Sequence, residues 1–298
     1  MQALYVSFLT YNINIMVFQF CDGSGQLRSF NNLNKDNLCM LRIIGKNVKI
    51  DKDARINVTE KLVIGDRSVI GKNALIEGRS VTIGREAWID EYAHIGGGSC
   101  FEPQSDFVAG DFLHMGKFSH INTARRVILG DEVGIGIGTK VFTHGAYLSF
   151  YEGFPVQFQE VKIGDRVWLP NAWVNPGVEI GHDVVVAAMS LINKSIPSGC
   201  LAGGVPAKVL KENVYPHNLS EQGKNELLNM INYVLGKSYV ILDDIISVKG
   251  EKGDTLFDLK AKTVSGIASS ETEQLKNQLR RIGIRFMYYN NNGVYSKW

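Results

Sequence analysis

Residues 64–96 read "IGDRSVIGKNALIEGRSVTIGREAWIDEYAHIG", and isoleucine stands at 64, 70 and 76 and again at 83, 89 and 95. A return every sixth residue fits neither the 3.6-residue period of a helix nor the two-residue alternation of a hairpin strand. It suits a triangular coil, in which each six-residue unit supplies one short strand with one inward aliphatic side chain. A Gly, Asp or Asn at the next corner is then expected to turn the chain by taking a positive φ.

The pattern extends in both directions. Ile44, Ile50 and Ile56 precede it; Ala109, Met115 and Ile121 follow, then Leu129, Ile135 and Val141, then Ile163, Leu169 and Asn175, and finally Ile180, Val186 and Ile192. Three units close one turn, so these sets predict a prism of about seven coils over residues 41–212, roughly 34 Å tall at the ~4.8 Å spacing of paired strands.

Two gaps break the register. The first is "GGGSCFEPQSDFV" at 96–108, and the larger runs from Val141 to Ile163 and opens with "VFTHGAYLSFYEGFP" at 141–155. An insertion in a stacked coil must leave it as a surface loop, and such loops are where coiled scaffolds bind ligands. His144 lies three residues past inward Val141, where the chain departs from the prism. His120 and Asn122 flank inward Ile121, so alternation turns both outward on the preceding coil. Phe150, Tyr151 and Phe154 are expected to pack the loop against a neighbouring chain.

The composition bounds what such a protein does. A formal charge of +2 in 298 residues, without Lys/Arg runs, gives no footprint for nucleic acid. Cys21, Cys39, Cys100 and Cys200 form no CxxC pair and suit buried thiols in a reducing compartment, the cytoplasm. The opening residues lack a basic leader and are interrupted by Gln2, Asn12, Asn14 and Gln19, which argues against an integral membrane segment. The alternation in "YNINIMVFQF" at 11–20 makes residues 1–40 a strand segment packed on the coil.

The hexads, the loop with "FTHGAYL" and the following "VKIGDRVWLPNAWVNPGVEIG" at 161–181 resemble the hexapeptide-repeat acyltransferases, in particular their galactoside and maltose O-acetyltransferase branch. The resemblance covers about residues 40 to 212 and implies a left-handed parallel β-helix, against the usual right-handed crossover. It implies a homotrimer with acetyl-CoA as donor and no metal, acting on a sugar or sugar-nucleotide acceptor, with surface polysaccharide as one setting. By the same resemblance His144 is the base; Asn122, from its outward place on the coil before, is read as a second catalytic residue, with His120 and Tyr147 at the acceptor. Asn171, Ala188 and Asn193 fall along the donor's pantetheine, Lys208 and Lys211 at its phosphates, and Trp168 at a position that packs near the histidine. An imidazole suits the task because a sugar hydroxyl must lose its proton as it attacks a thioester.

Two departures stand out. Ala187, Ala188, Met189 and Ser190 replace a usual Gly-Ala-Gly-Ser, and Leu169-Pro170 follows Trp168 where Ile-Gly is common. Met189 narrows a place where glycine would let the donor approach closely. Alternative readings are N-acetylation of a nucleotide-linked amino sugar, a non-catalytic scaffold, and a zinc-dependent γ-type carbonic anhydrase. For the last, His114 and His120 are six apart and would point away from each other.

After residue 212 the hexads stop. The spacing of Leu227, Leu228, Ile231, Val234 and Leu235 predicts an amphipathic helix. Strands around a Lys-Gly-Asp turn, a helix through "SSETEQLKNQLRRIG" at 269–283 and a last strand "IRFMYY" at 284–289 complete a small α+β domain over 213–298. Acceptor selection, assembly and inert packing are all open to it.

Overall fold

The computed structural model describes residues 20–21, 27–28, 41–236, 239–242, 244–296 and 298. The packing expected of residues 1–40 lies outside the described residues, save that Phe20–Cys21 pairs antiparallel with Leu27–Arg28. The chain divides into two compact units, residues 1–216 and 217–298.

The first unit is the triangular coil that the hexads predict, in the form of the left-handed parallel β-helix that the resemblance implies. Its first face stacks the strands ending at Ile44, Ile64, Ile83, Ala109, Leu129, Ile163 and Ile180, each in parallel register with the next. The second face carries Ile50, Ile70, Ile89, Met115, Ile135, Leu169 and Val186. On the third, Ile76, Ile95, Ile121, Val141, Val174 and Ile192 follow one another. From Ile64 onward these side chains are buried and form one continuous core, while Ile44 and Ile50 at the amino-terminal end are exposed. Burial of this aliphatic column, repeated coil by coil, is what holds the prism.

Two readings change. Val174, not Asn175, takes the inward place on the sixth coil, because the corner between Leu169 and Val174 is one residue shorter than its neighbours. Asn175 is thereby turned outward. The corners also use glycine differently from the expectation. At the first corner the left-handed conformation belongs to Asn47, Arg67, Glu86, Phe112, Glu132, Arg166 and Asp183, with φ between 54° and 60°. Most of these residues gain a hydrogen bond from N–H to a carbonyl of the coil before, as Glu132 does to Asp111 at 2.8 Å. The glycine two positions earlier is there for clearance: a Cβ on Gly130 would overlap the Asp165 carboxylate of the next coil.

That carboxylate is one step of a ladder. The backbone N–H of Arg85 donates to Asp111 Oδ1 at 2.6 Å, that of Asp111 to Asp131 at 2.7 Å, and that of Asp131 to Asp165 at 2.8 Å. Asp165 N–H then donates to His182 Nδ1 at 3.0 Å and His182 N–H to Ser198 Oγ at 2.9 Å. The recurring Gly-Asp pair therefore encodes an inter-coil tie at the first corner.

The second unit is an antiparallel six-stranded sheet with two helices, α1 (Glu221–Leu235) and α2 (Ser270–Arg281). Ser220 and Ser269 cap them by accepting N–H from Gly223 and Thr272. Ile231, Phe257, Leu275 and Leu279 are among its fully buried residues. The last strand differs from expectation. Residues 284–288 are irregular apart from a bridge at Met287, and a hairpin of Tyr289–Asn291 with Val294–Ser296 follows. Its two-residue turn is Asn292-Gly293, both at positive φ, the preferred chemistry for a tight hairpin. Among the described residues no helix is long and apolar enough to cross a membrane.

Candidate active site

The larger gap leaves the prism as a short antiparallel ribbon, with His144–Gly145 paired to Gln157–Phe158. Between these strands the loop carries Tyr147 and Tyr151 almost fully exposed, and Phe150 three-quarters exposed. The ribbon fixes His144 at the foot of the loop. Phe158 stacks on the imidazole with centroids 5.5 Å apart and is itself covered by the Arg125 guanidinium at 4.5 Å.

Beneath the ring lies Asn122, buried to 1% exposure. Its Oδ1 accepts from Ala124 N–H at 3.2 Å and from the Thr143 hydroxyl at 2.8 Å, and it lies 2.8 Å from His144 Nδ1. Its Nδ2 donates to the carbonyls of Gly98 at 3.1 Å and Gly96 at 3.4 Å. A backbone N–H can only donate, so the Ala124 contact settles which end of the amide is oxygen. His144 Nδ1 must then carry the proton, and Nε2 keeps a lone pair.

His144 lines a cleft of about 460 Å³ with Tyr147, Phe154, Gln157, Trp173 and Asn175 among its walls. The structure brings His144 and Tyr147 together there, but not Asn122 or His120. Asn122 reaches the cleft only through the imidazole. His120 is turned the other way: it stacks on His94 at 4.5 Å, packs edge-on against Phe142, and points Nε2 at the Gly96 carbonyl, 3.4 Å away. Burial, with His94 adding to it, pushes the His120 imidazole down to about 4, so it is neutral at ordinary pH.

A second cleft, of about 300 Å³, is lined by Asn171, Trp173, Met189, Ser190, Leu191 and Val205. Trp173 is common to both, so the clefts adjoin across its ring. Asn171 Nδ2 lies 3.1 Å from Met189 Sδ, and both residues sit at positive φ on the second corner. Ala188 and Asn193 are exposed to either side, and Lys208 and Lys211 are exposed on the strand Ala207–Lys211. Trp168 does not pack near His144. It stands on the second face in register with Gly134 and Val185, and the tryptophan of the cleft is Trp173. Sequence reasoning missed Trp173 because the assignment of Asn175 as inward hid the alternation that turns Trp173 and Asn175 outward.

No protein-family model matches the chain. The chain is 29% identical over 132 residues to the galactoside O-acetyltransferase of Escherichia coli K12, covering 41% of this chain and 64% of that protein. It is 33% identical over 108 residues to the putative lipopolysaccharide biosynthesis O-acetyl transferase WbbJ of the same organism, covering 34% and 55%. The chain is therefore similar to O-acetyltransferases, as the resemblance of its hexads and loop to the hexapeptide-repeat acyltransferases implies. This hexapeptide-repeat chain matches less than two thirds of the length of either relative. Solved structures similar to it include a galactoside acetyltransferase in complex with coenzyme A, at 22% identity and TM-score 0.32 over 52% of this chain and 70% of that one. Another is AntD, an N-acyltransferase from Bacillus cereus in complex with dTDP and 3-hydroxybutyryl-CoA, at 20% identity and TM-score 0.40 over 65% and 92%. Among its described residues no group of three or more His, Cys, Asp or Glu side chains is gathered as a metal site, and His114 and His120 lie on different faces.

Proposed function

We propose that the protein is an acetyl-CoA-dependent O-acetyltransferase that moves the acetyl group to a sugar hydroxyl, with His144 as general base. The observation that carries this reading is the Asn122 amide, whose orientation holds the proton on Nδ1 of a histidine that lines the cleft and so leaves a lone pair on Nε2. A hydroxyl in the cleft gives its proton to Nε2 as its oxygen attacks the thioester carbonyl. The carbon–sulfur bond then breaks, and the departing thiolate takes the proton back. No covalent enzyme intermediate is needed.

The donor lies across the second cleft, its thioester reaching His144 past Trp173, with Lys208 and Lys211 available to its phosphates. The similar O-acetyl transferase WbbJ is named for lipopolysaccharide biosynthesis, which supports a surface polysaccharide or its precursor as acceptor. The exposed aromatic loop is the surface through which a homotrimer assembles.

The test is free-thiol release from acetyl-CoA over a panel of sugars and nucleotide-linked amino sugars, comparing the native chain with His144→Ala. Loss of turnover by about a hundredfold or more, the scale of general-base catalysis, supports the reading. Turnover that survives the substitution removes His144 from this role and favours an amine acceptor, which needs less help from a base.

A further inference from the structure

The first gap in the hexads takes no part in the chemistry above, yet it packs against it. Glu77, Gly96 and Asn122 occupy the same register position on three successive coils of the third face. Gly96 has φ 132°, and a Cβ there would overlap the Glu77 side chain and lie 2.7 Å from its carbonyl oxygen. The absence of a side chain at 96 lets Glu77 fold up over that residue. Its Oε1 accepts from Gly97 N–H at 3.2 Å and lies 3.1 Å from His94 Nε2, where a carboxylate can only accept. From the coil above, Asn122 Nδ2 donates to the Gly98 and Gly96 carbonyls. The glycine tripeptide is thus gripped from one side by a carboxylate on its N–H and from the other by an amide on its carbonyls.

We infer that Glu77 is a positioning residue for His144, acting through this tripeptide and Asn122. Three consecutive glycines have little conformational preference of their own, so the Gly98 carbonyl stays in place only because neighbours hold it. That carbonyl anchors the Nδ2 end of Asn122, and the anchored amide keeps Oδ1 facing His144 Nδ1. Loss of the carboxylate frees the tripeptide and leaves the amide held only at its oxygen end, by Ala124 and Thr143, so that it tilts away from His144 and lets the imidazole proton move to Nε2, where it blocks proton acceptance. The inference rests on the proposed role of His144 for its effect on rate, but not for its effect on the proton's location.

The experiment therefore reads both. The ¹⁵N chemical shifts of the His144 ring, in the full-length protein, report which nitrogen is protonated whether or not the protein transfers an acetyl group. The native chain is expected to show Nδ1 protonated. Glu77→Ala is expected to give a mixture of tautomers, and Glu77→Gln, whose amide oxygen still accepts from Gly97, to restore the native pattern. Glu77→Asp, one methylene short of the Gly97 N–H, serves if the alanine variant does not fold, and is expected to behave as the alanine variant does. In thiol-release assays kcat falls about ten- to a hundredfold in Glu77→Ala, on the scale that small misplacements cost, with the KM for acetyl-CoA within twofold. In an Asn122→Ala background the same substitution changes kcat less than threefold, because the linking residue is gone. An unchanged tautomer in both Glu77→Ala and Glu77→Asp, or full additivity with Asn122→Ala, overturns the inference. A tautomer change in a protein that acetylates nothing leaves the inference standing and overturns the proposed function instead.

Discussion

Replacing Asn122 by Asp changes one atom of the side chain and reverses the logic of the site. The carboxylate still accepts from Ala124, Thr143 and His144, which lie 3.2, 2.8 and 2.8 Å from the present Oδ1. It loses the donor to Gly98 and places a negative charge against the imidazole. Two unit charges about 4 Å apart interact by about 1 kcal/mol in water and about 4 kcal/mol at the effective dielectric of a protein surface. His144 is half-buried above a buried partner, so its environment lies between these limits. At 1.36 kcal/mol per pH unit, the imidazolium is favoured by roughly one to three units. A protonated imidazole accepts nothing, so the acid limb of the kcat/KM profile for thiol release is expected to move upward by that amount. On the acid limb, below both midpoints, Asn122→Asp should be about ten- to a thousandfold slower than the native chain, with the difference shrinking as the pH is raised. The measurement is kcat/KM from pH 5 to 10 for both proteins. An acid limb that stays in place, or moves downward, would refute the reasoning, since the charge would then not be felt where proton transfer occurs.

Two further outcomes follow from the structure. Burial holds the folded His120 imidazole at about 4, below its ordinary value near 6.5 in an unfolded chain. The unfolded state therefore takes up a proton that the folded state refuses, and stability falls as the pH drops from about 6.5 to about 4. The melting temperature of the native chain should decline more over that window than that of His120→Gln; parallel declines would show that this residue does not contribute. Met189 narrows the second cleft, so Met189→Gly should lower the KM for acetyl-CoA several-fold with little change in kcat. An unchanged KM would place the donor elsewhere on the coil.

The hexads made the prism legible because the inward column tolerates only aliphatic side chains, and their spacing survives every change in the residues between them. Position 175 was misread for a physical reason: the corner before it is one residue shorter, and an asparagine at the sixth place looks like an exception instead of a register shift. The corners were misread too. Residues as unlike as Arg67, Phe112 and Glu132 take positive φ there because a hydrogen bond between coils offsets the strain, which no local preference announces. His144 was readable from its place at the gap. Its partners were only half so, since alternation turns Asn122 outward but cannot say that a glycine loop covers it. Trp173 and Glu77 escaped because one follows a misjudged corner and the other matters only through coils above it.

The corner ladder has a direction. At each step an amide on one coil waits for a side chain 16 to 34 residues further along the chain, and at every step from Arg85 to His182 the acceptor comes later than the donor. A coil leaving the ribosome is consequently unfinished until its successor has been made. Its carboxylate satisfies the coil behind while its own amide stays open to water. Synthesis and zipping therefore run the same way, and a nascent prism shows one unfinished edge, always the newest. At this corner a chain stopped early bares a backbone amide and carbonyl, as at Asp111, whereas a chain missing its first coils bares a backbone amide and a carboxylate, as at Glu132 and Asp131, and water solvates the carboxylate readily. The two kinds of truncation should differ in solubility even when they remove equal numbers of coils.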